Sequence, residues 1–299
     1  MDPATRKASC ERVMTPPILA FLGALGFSVS HLLVTRALPF TNPFTATFVT
    51  TTVNALLLLV IAASLTSFSL AFSSGVAPFL LAGLFAPGLA RILLYRGIER
   101  VGYAPSSVLL GSGPLFAVLV AIGFLGEPAT PPILLGTLSI VLGLGLLPSP
   151  ARESPRFSRW GLLYPLLAAL CFALRDNLTR WGLMGFPHAV LAASVTAWTS
   201  AVLLYASFCF PGRGQRLHAT SRAIPPLVAS GVCVVFAYVT GFLALRGGQV
   251  VVISPLLSSH PLLSILLSHL FLKERHEVSG RVVLGGVLVV GGAVGITLA

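Results

Sequence analysis

Arg175 and Asp176 stand side by side within the apolar run LLAALCFALRDNLTRWGLMG. A charge held in hydrocarbon costs about 2.5–3.5 kcal/mol on insertion scales, so residues retained there are functional candidates by default. Arg91 lies about two helical turns inside another apolar run, by the 3.6-residue period. His31, Tyr238 and His260 lie in three more. These six are the candidate substrate-binding residues. Either arginine could meet a substrate carboxylate, and Asp176 is a candidate proton carrier.

Each has an ordinary alternative. Asp176 and Arg180 are four residues apart, the spacing of a helix-surface ion pair. Arg91 and Arg175 have stems long enough to snorkel to an interface. A neutral His31 can bond a nearby carbonyl. Adjacent residues on a helix diverge by about 100°, so Asp176 is expected to be a poor direct partner for Arg175. Another helix, water or the substrate must then serve, and Arg175 should matter more to function than Arg180. Ser254, Ser258 and the neighbourhood of His260 could make a polar cavity wall, but serines in helices commonly bond their own i−4 carbonyls. Thr45, Thr47, Thr50, Thr51, Thr52 and Asn54 form a polar stretch best read as helix packing.

The elements that carry these residues follow from composition. Of 299 residues, 56% are hydrophobic and 9% charged, against roughly 25% charged in a soluble domain. Mean hydropathy is +0.94. In lipid each span must satisfy its own backbone, so the runs are read as helices. Ten are predicted: 15–36, 43–65, 76–98, 103–124, 131–147, 160–183, 187–210, 224–245, 250–272 and 280–298. The net charge of +11 is dispersed between the runs, as loop-retaining Lys and Arg are, and no nucleic-acid partner is expected. Cys10, Cys171, Cys209 and Cys233 are scattered without a metal-ligand or disulfide spacing. No metal or other cofactor is called for. The chain carries no H-E-x-x-H, P-loop or G-x-S-x-G, so no enzyme is predicted.

The chain repeats itself. PLFAVLVAIGFLGE at 114–127 aligns with PLLSILLSHLFLKE at 261–274, an offset of 147, and Leu22–Phe27 with Leu167–Phe172 at 145. At that second offset His31 takes the place of Asp176. Tyr238 corresponds to Arg91 at 147. Residues 15–147 and 160–298 are the two predicted repeats, joined by a linker at 148–159. Five spans is an odd number, so the second copy enters from the opposite face, as in secondary transporters whose site lies between inverted halves.

The run Gly83-Leu84-Phe85-Ala86-Pro87, with Arg91, Tyr95-Arg96-Gly97-Ile98 and Pro114 to Glu127, and its echo from Pro255 through Pro261 to Glu274, resembles the EamA-type family of the drug/metabolite transporter superfamily. The resemblance implies ten helices in two domains and export or exchange of small metabolites.

The reading is an all-α integral membrane protein, multi-pass in the cell (inner) membrane. It is a secondary transporter, working by alternating access on a small metabolite or amphipathic compound. Its partners are that solute, the lipid bilayer and a proton as candidate coupling ion, with monomer and homodimer both open. The rivals are an intramembrane lipid enzyme and a non-transporting scaffold subunit. With Arg91 and Arg175 set aside, the terminus-bearing side holds five Lys and Arg and the other side twelve. The positive-inside rule then places both termini outside, whereas the resemblance implies inside; the charge count is adopted.

Overall fold

A computed structural model describes residues 3–66, 73–101, 103–128, 130–146, 159–209, 217–272 and 280–298. Among these the backbone is helical, with one isolated antiparallel bridge between Thr41 and Ala219. The long helices are α1 (Pro3–Ala37), α2 (Pro43–Leu65), α8 (Leu163–Gly185), α9 (Ala189–Cys209) and α10 (Ile224–Gly247). Asn42 starts α2 by accepting the Thr45 N–H on its side chain, with Pro43 at the first helical position, where a missing N–H is harmless.

Three predicted spans are interrupted. The third is α3 (Ala77–Gly83) and α4 (Ala90–Val101), joined across a kink at Leu84–Leu89 in which Ala86 is extended (φ −148°, ψ 138°). Pro87 explains this, because the residue before proline is pushed out of the α region. The fourth is α5 (Tyr103–Leu110) and α6 (Gly113–Val120), continued by a π turn to Leu125. The ninth, expected as one helix over 250–272, is α11 (Val250–Leu257) and α12 (His260–Leu272). Two shorter apolar helices, α7 (Pro131–Leu146) and α13 (Gly280–Thr297), complete the chain.

The breaks in the fourth and ninth spans match bond for bond. At the first, Ser112 donates its N–H and its hydroxyl to the Leu109 carbonyl (3.1 and 2.6 Å), and the Leu115 N–H returns to Ser112 O (3.0 Å). At the second, Ser259 does the same to Leu256 (3.2 and 2.7 Å), and the Leu262 N–H returns to Ser259 O (3.1 Å). Each serine closes a tight turn in front of Pro114 or Pro261, which supply no N–H to continue the helix.

Among the described residues, eight helical stretches are long and apolar enough to cross a membrane, while 131–146 and 283–297 are shorter apolar helices. Leu56, Val60, Leu135, Leu142, Val287 and Val290 are exposed on the outer surface, as lipid-facing residues should be. The interior holds Leu58, Phe79, Val250, Val251 and Ile253 together with many alanines. Small residues let helix backbones approach closely without a hydrophobic drive between them. The linker is outside the described residues except for Arg159, and so are Arg213–Arg216 and Lys273–Arg275.

Candidate functional site

A cavity of about 730 Å³ runs between the helices of both halves. His31, Arg91, Arg175, Asp176, Tyr238 and His260 all line it, from α1, α4, α8, α10 and α12. One end reaches exposed Thr35 and Leu38, at and just beyond the end of α1. Toward the other end lie Ser254 and Leu257, both buried.

Arg175 and Asp176 are partners, contrary to the expectation from their position around the helix. The Arg175 Nε and Nη2 both donate to Asp176 Oδ1, at 2.9 and 2.6 Å. The 100° divergence applies to the Cβ directions, and the arginine arm is long enough to fold back across it. Its guanidinium also lies 5.6 Å from the Phe172 ring centroid and against the Tyr238 phenol. The other carboxylate oxygen, Oδ2, accepts from the Ser254 hydroxyl at 2.6 Å. Ser254 therefore does not bond its own helix. Ser264 does, donating to the His260 carbonyl at 2.9 Å.

Arg180 is not the surface partner of Asp176. Its Nη1 donates to the carbonyls of Leu245 and Arg246, at 2.9 and 2.8 Å, where α10 ends. Its Nε approaches Glu127 Oε1 at 3.9 Å. The Glu127 carboxylate accepts the N–H groups of Val250 and Val251, at 3.0 Å each, where α11 begins. An acid at a helix N-terminus and a cation at a C-terminus each complement the macrodipole. Together they clamp the turn at Gly248–Gln249.

His31 and His260 meet edge to face with centroids 5.1 Å apart, and Phe27 lies 5.7 Å from His260 and 6.2 Å from Tyr238. Ser28 donates to the His260 carbonyl at 2.8 Å, where α12 starts. Across the cavity, Arg91 Nη1 donates to Thr51 Oγ1 at 3.4 Å. Thr47, Thr50, Thr51 and Asn54 line the cavity, so the polar stretch of the second span is in part a wall and not only packing. Its spacing carried that signal, since positions 47, 50, 51 and 54 repeat at i, i+3, i+4, i+7 on one helix face. Among the described residues no group of three or more His, Cys, Asp or Glu is placed to hold a metal.

The fold and the cavity define an all-helical protein of membrane-spanning type with a polar chamber shared between its halves. The EamA-like transporter family matches twice, over residues 14–148 and 159–298, and the chain belongs to that family. It is a multi-pass membrane protein of a transporter family. A solved crystal structure of a protein 21% identical superposes with a TM-score of 0.76, covering 95% of this chain and 96% of that one. That likeness shows the fold alone. No curated protein matches the sequence.

Proposed function

We propose that the protein is a secondary transporter of a small polar or amphipathic metabolite in the cell (inner) membrane. In this reading α7 and α13 also cross the bilayer, making ten spans in two inverted five-helix repeats, 15–147 and 160–298. The solute binds in the central cavity, and the halves rock to open it to one face at a time. The observation that carries the reading is the convergence of six ionisable or aromatic side chains from both halves on one chamber. The two matching serine breaks support the repeat, because they fall 147 residues apart. Broken helices near the midplane are where transporters place their solute sites. His31, Arg91, Arg175, Asp176, Tyr238 and His260 are the proposed contacts. Asp176 is the proposed proton carrier.

The test is a flux screen in proteoliposomes across amino acids, organic acids, sugars and cationic drugs. Saturable uptake of one class, reduced in the Arg175→Ala and Tyr238→Ala variants, is the expected result. Uptake indistinguishable from empty liposomes for every class overturns the reading.

A further inference from the structure

The two cavity arginines are electrostatically unlike. Arg175 is neutralised by Asp176 within the wall. Among the described residues Arg91 has no carboxylate partner, and its hydrogen bond is one long contact to Thr51. A guanidinium offers five N–H donors, so most of its capacity faces the chamber. One turn further along α2 is Asn54, only 3% exposed, whose Oδ1 is buried without a partner. An uncompensated charge at the chamber and an unpaired amide oxygen on a residue that lines it are both costly, and a ligand that draws the Asn54 amide toward the chamber can relieve both.

We infer that Arg91, Thr51 and Asn54 form the subsite that selects the substrate, and that the substrate is a small organic monoanion. Its carboxylate docks on Arg91, and a neutral donor beside that carboxylate, a hydroxyl or amide N–H, reaches Asn54 Oδ1. This deepens the transporter reading and rests on it. The described charges of the chamber sum to one positive, so a singly charged acid leaves it neutral. A zwitterion would set its ammonium near Arg91, and the chamber's one described carboxylate, Asp176, already has its charge matched by Arg175 and accepts three hydrogen bonds. Phe27 and Tyr238 supply the apolar walls for the rest of the molecule.

Full-length protein in nanodiscs is titrated calorimetrically with two matched trios: lactate, alanine and lactamide, then phenyllactate, phenylalanine and phenyllactamide. Within a trio only the charge of the acid group or of its neighbour changes. In at least one trio wild type binds the hydroxy acid at least about tenfold more tightly than its zwitterion and amide, the scale of one charge-assisted hydrogen bond. Arg91→Gln loses that preference while its amide affinity stays within about twofold on the same scale, and Arg91→Lys retains it. Asn54→Asp, which brings a carboxylate to the subsite, also loses it, and covers the case in which Arg91→Gln fails to elute as a single species. No acid preference in wild type, or an acid preference that survives in Arg91→Gln or Asn54→Asp, overturns the assignment. Counterflow of labelled compounds from the same trios in proteoliposomes is read separately. Flux without acid preference removes the substrate class and leaves the transporter standing. Acid preference without flux keeps the subsite and removes the transporter.

Discussion

Ser254 donates its hydroxyl to Asp176 at 2.6 Å and so fastens the first half of a broken helix to an ion pair in the cavity wall. The carboxylate stands on α8 beside Arg175 and ties α8 to α11 through Ser254. Any movement of α11 away from α8 at this point must release this bond, which gives Asp176 a mechanical place as well as an electrostatic one.

Asp176→Ala should therefore destabilise the protein by about 3 kcal/mol, the low end for breaking a buried pair, because one side of Arg175 faces the cavity. Ser254→Ala should cost about 1.5 kcal/mol, as a lost hydrogen bond to a charged group. The double variant Arg175→Met with Asp176→Leu should recover most of the loss, since it leaves no orphaned charge. Unfolding in detergent micelles reads all three. An Asp176→Ala protein as stable as wild type would show that the pair contributes nothing.

Glu127 and Arg180 predict a second stability effect. Glu127→Gln keeps the shape but removes the charge from the start of α11, with an expected cost of about 1–2 kcal/mol. Arg180→Ala removes the donors at the end of α10 and should lower the melting temperature more than Arg246→Ala. The sequence suggests only that Arg180 matters less to transport than Arg175, and the structure adds that its role is to hold the turn. Equal melting temperatures for Arg180→Ala and Arg246→Ala would remove that role.

Much of this site can be read from residue types alone, for a physical reason. Arg91, Arg175, Asp176 and the histidines sit in runs that must be helical in lipid, and facing lipid would cost each charge several kcal/mol. Facing a shared interior is the remaining arrangement. The helix breaks at Ser112 and Ser259 were not legible, because the flanking residues remain apolar on both sides and hydropathy does not register a lost hydrogen bond. The pairing of Arg175 with Asp176 was missed because helix geometry fixes Cβ directions and leaves the end of an arginine free to turn. Asn54 reads as packing by residue type, because an amide among threonines carries no charge, although its spacing from Thr47, Thr50 and Thr51 marks a single helix face.

The α7–α13 interface separates two kinds of glycine. A methyl at Gly292 would sit 2.5 Å from the Gly136 carbonyl oxygen, and one at Gly143 2.6 Å from the Gly285 carbonyl, whereas nothing lies within 4 Å at Gly291 or Gly295. The Gly291-x-x-x-Gly295 pattern faces away from α7. Gly143→Ala and Gly292→Ala should each cost about 1–3 kcal/mol by overpacking. Gly291→Ala should be neutral or stabilising by up to about 1 kcal/mol, since alanine is the better helix former. Comparable losses at Gly291 and Gly292 would mean that the outward face is also packed, as in a dimer.

The last prediction concerns which face of the membrane the cavity mouth meets. The mouth lies at the Thr35–Leu38 end of α1, away from the chain's first residues. Gly136 of α7 opposes Gly292 of α13, and Gly143 opposes Gly285, so α13 runs back toward the Glu127 end. Both termini then share the face opposite the mouth. Excess Lys and Arg mark the cytoplasmic side, and by the predicted spans the mouth side would carry twelve against five, six of the twelve lying outside the described residues. Ser264→Cys, in a background with Cys10, Cys171, Cys209 and Cys233 replaced, places a thiol on the cavity wall. A membrane-impermeant maleimide should label it in inside-out vesicles well before intact cells, and a carboxy-terminal reporter active only in the cytoplasm should stay silent. Rapid labelling in intact cells with an active reporter would reverse the orientation while leaving the cavity and its residues in place. Labelling from the face that carries the termini would instead mean that the resting state opens at the Glu127 end.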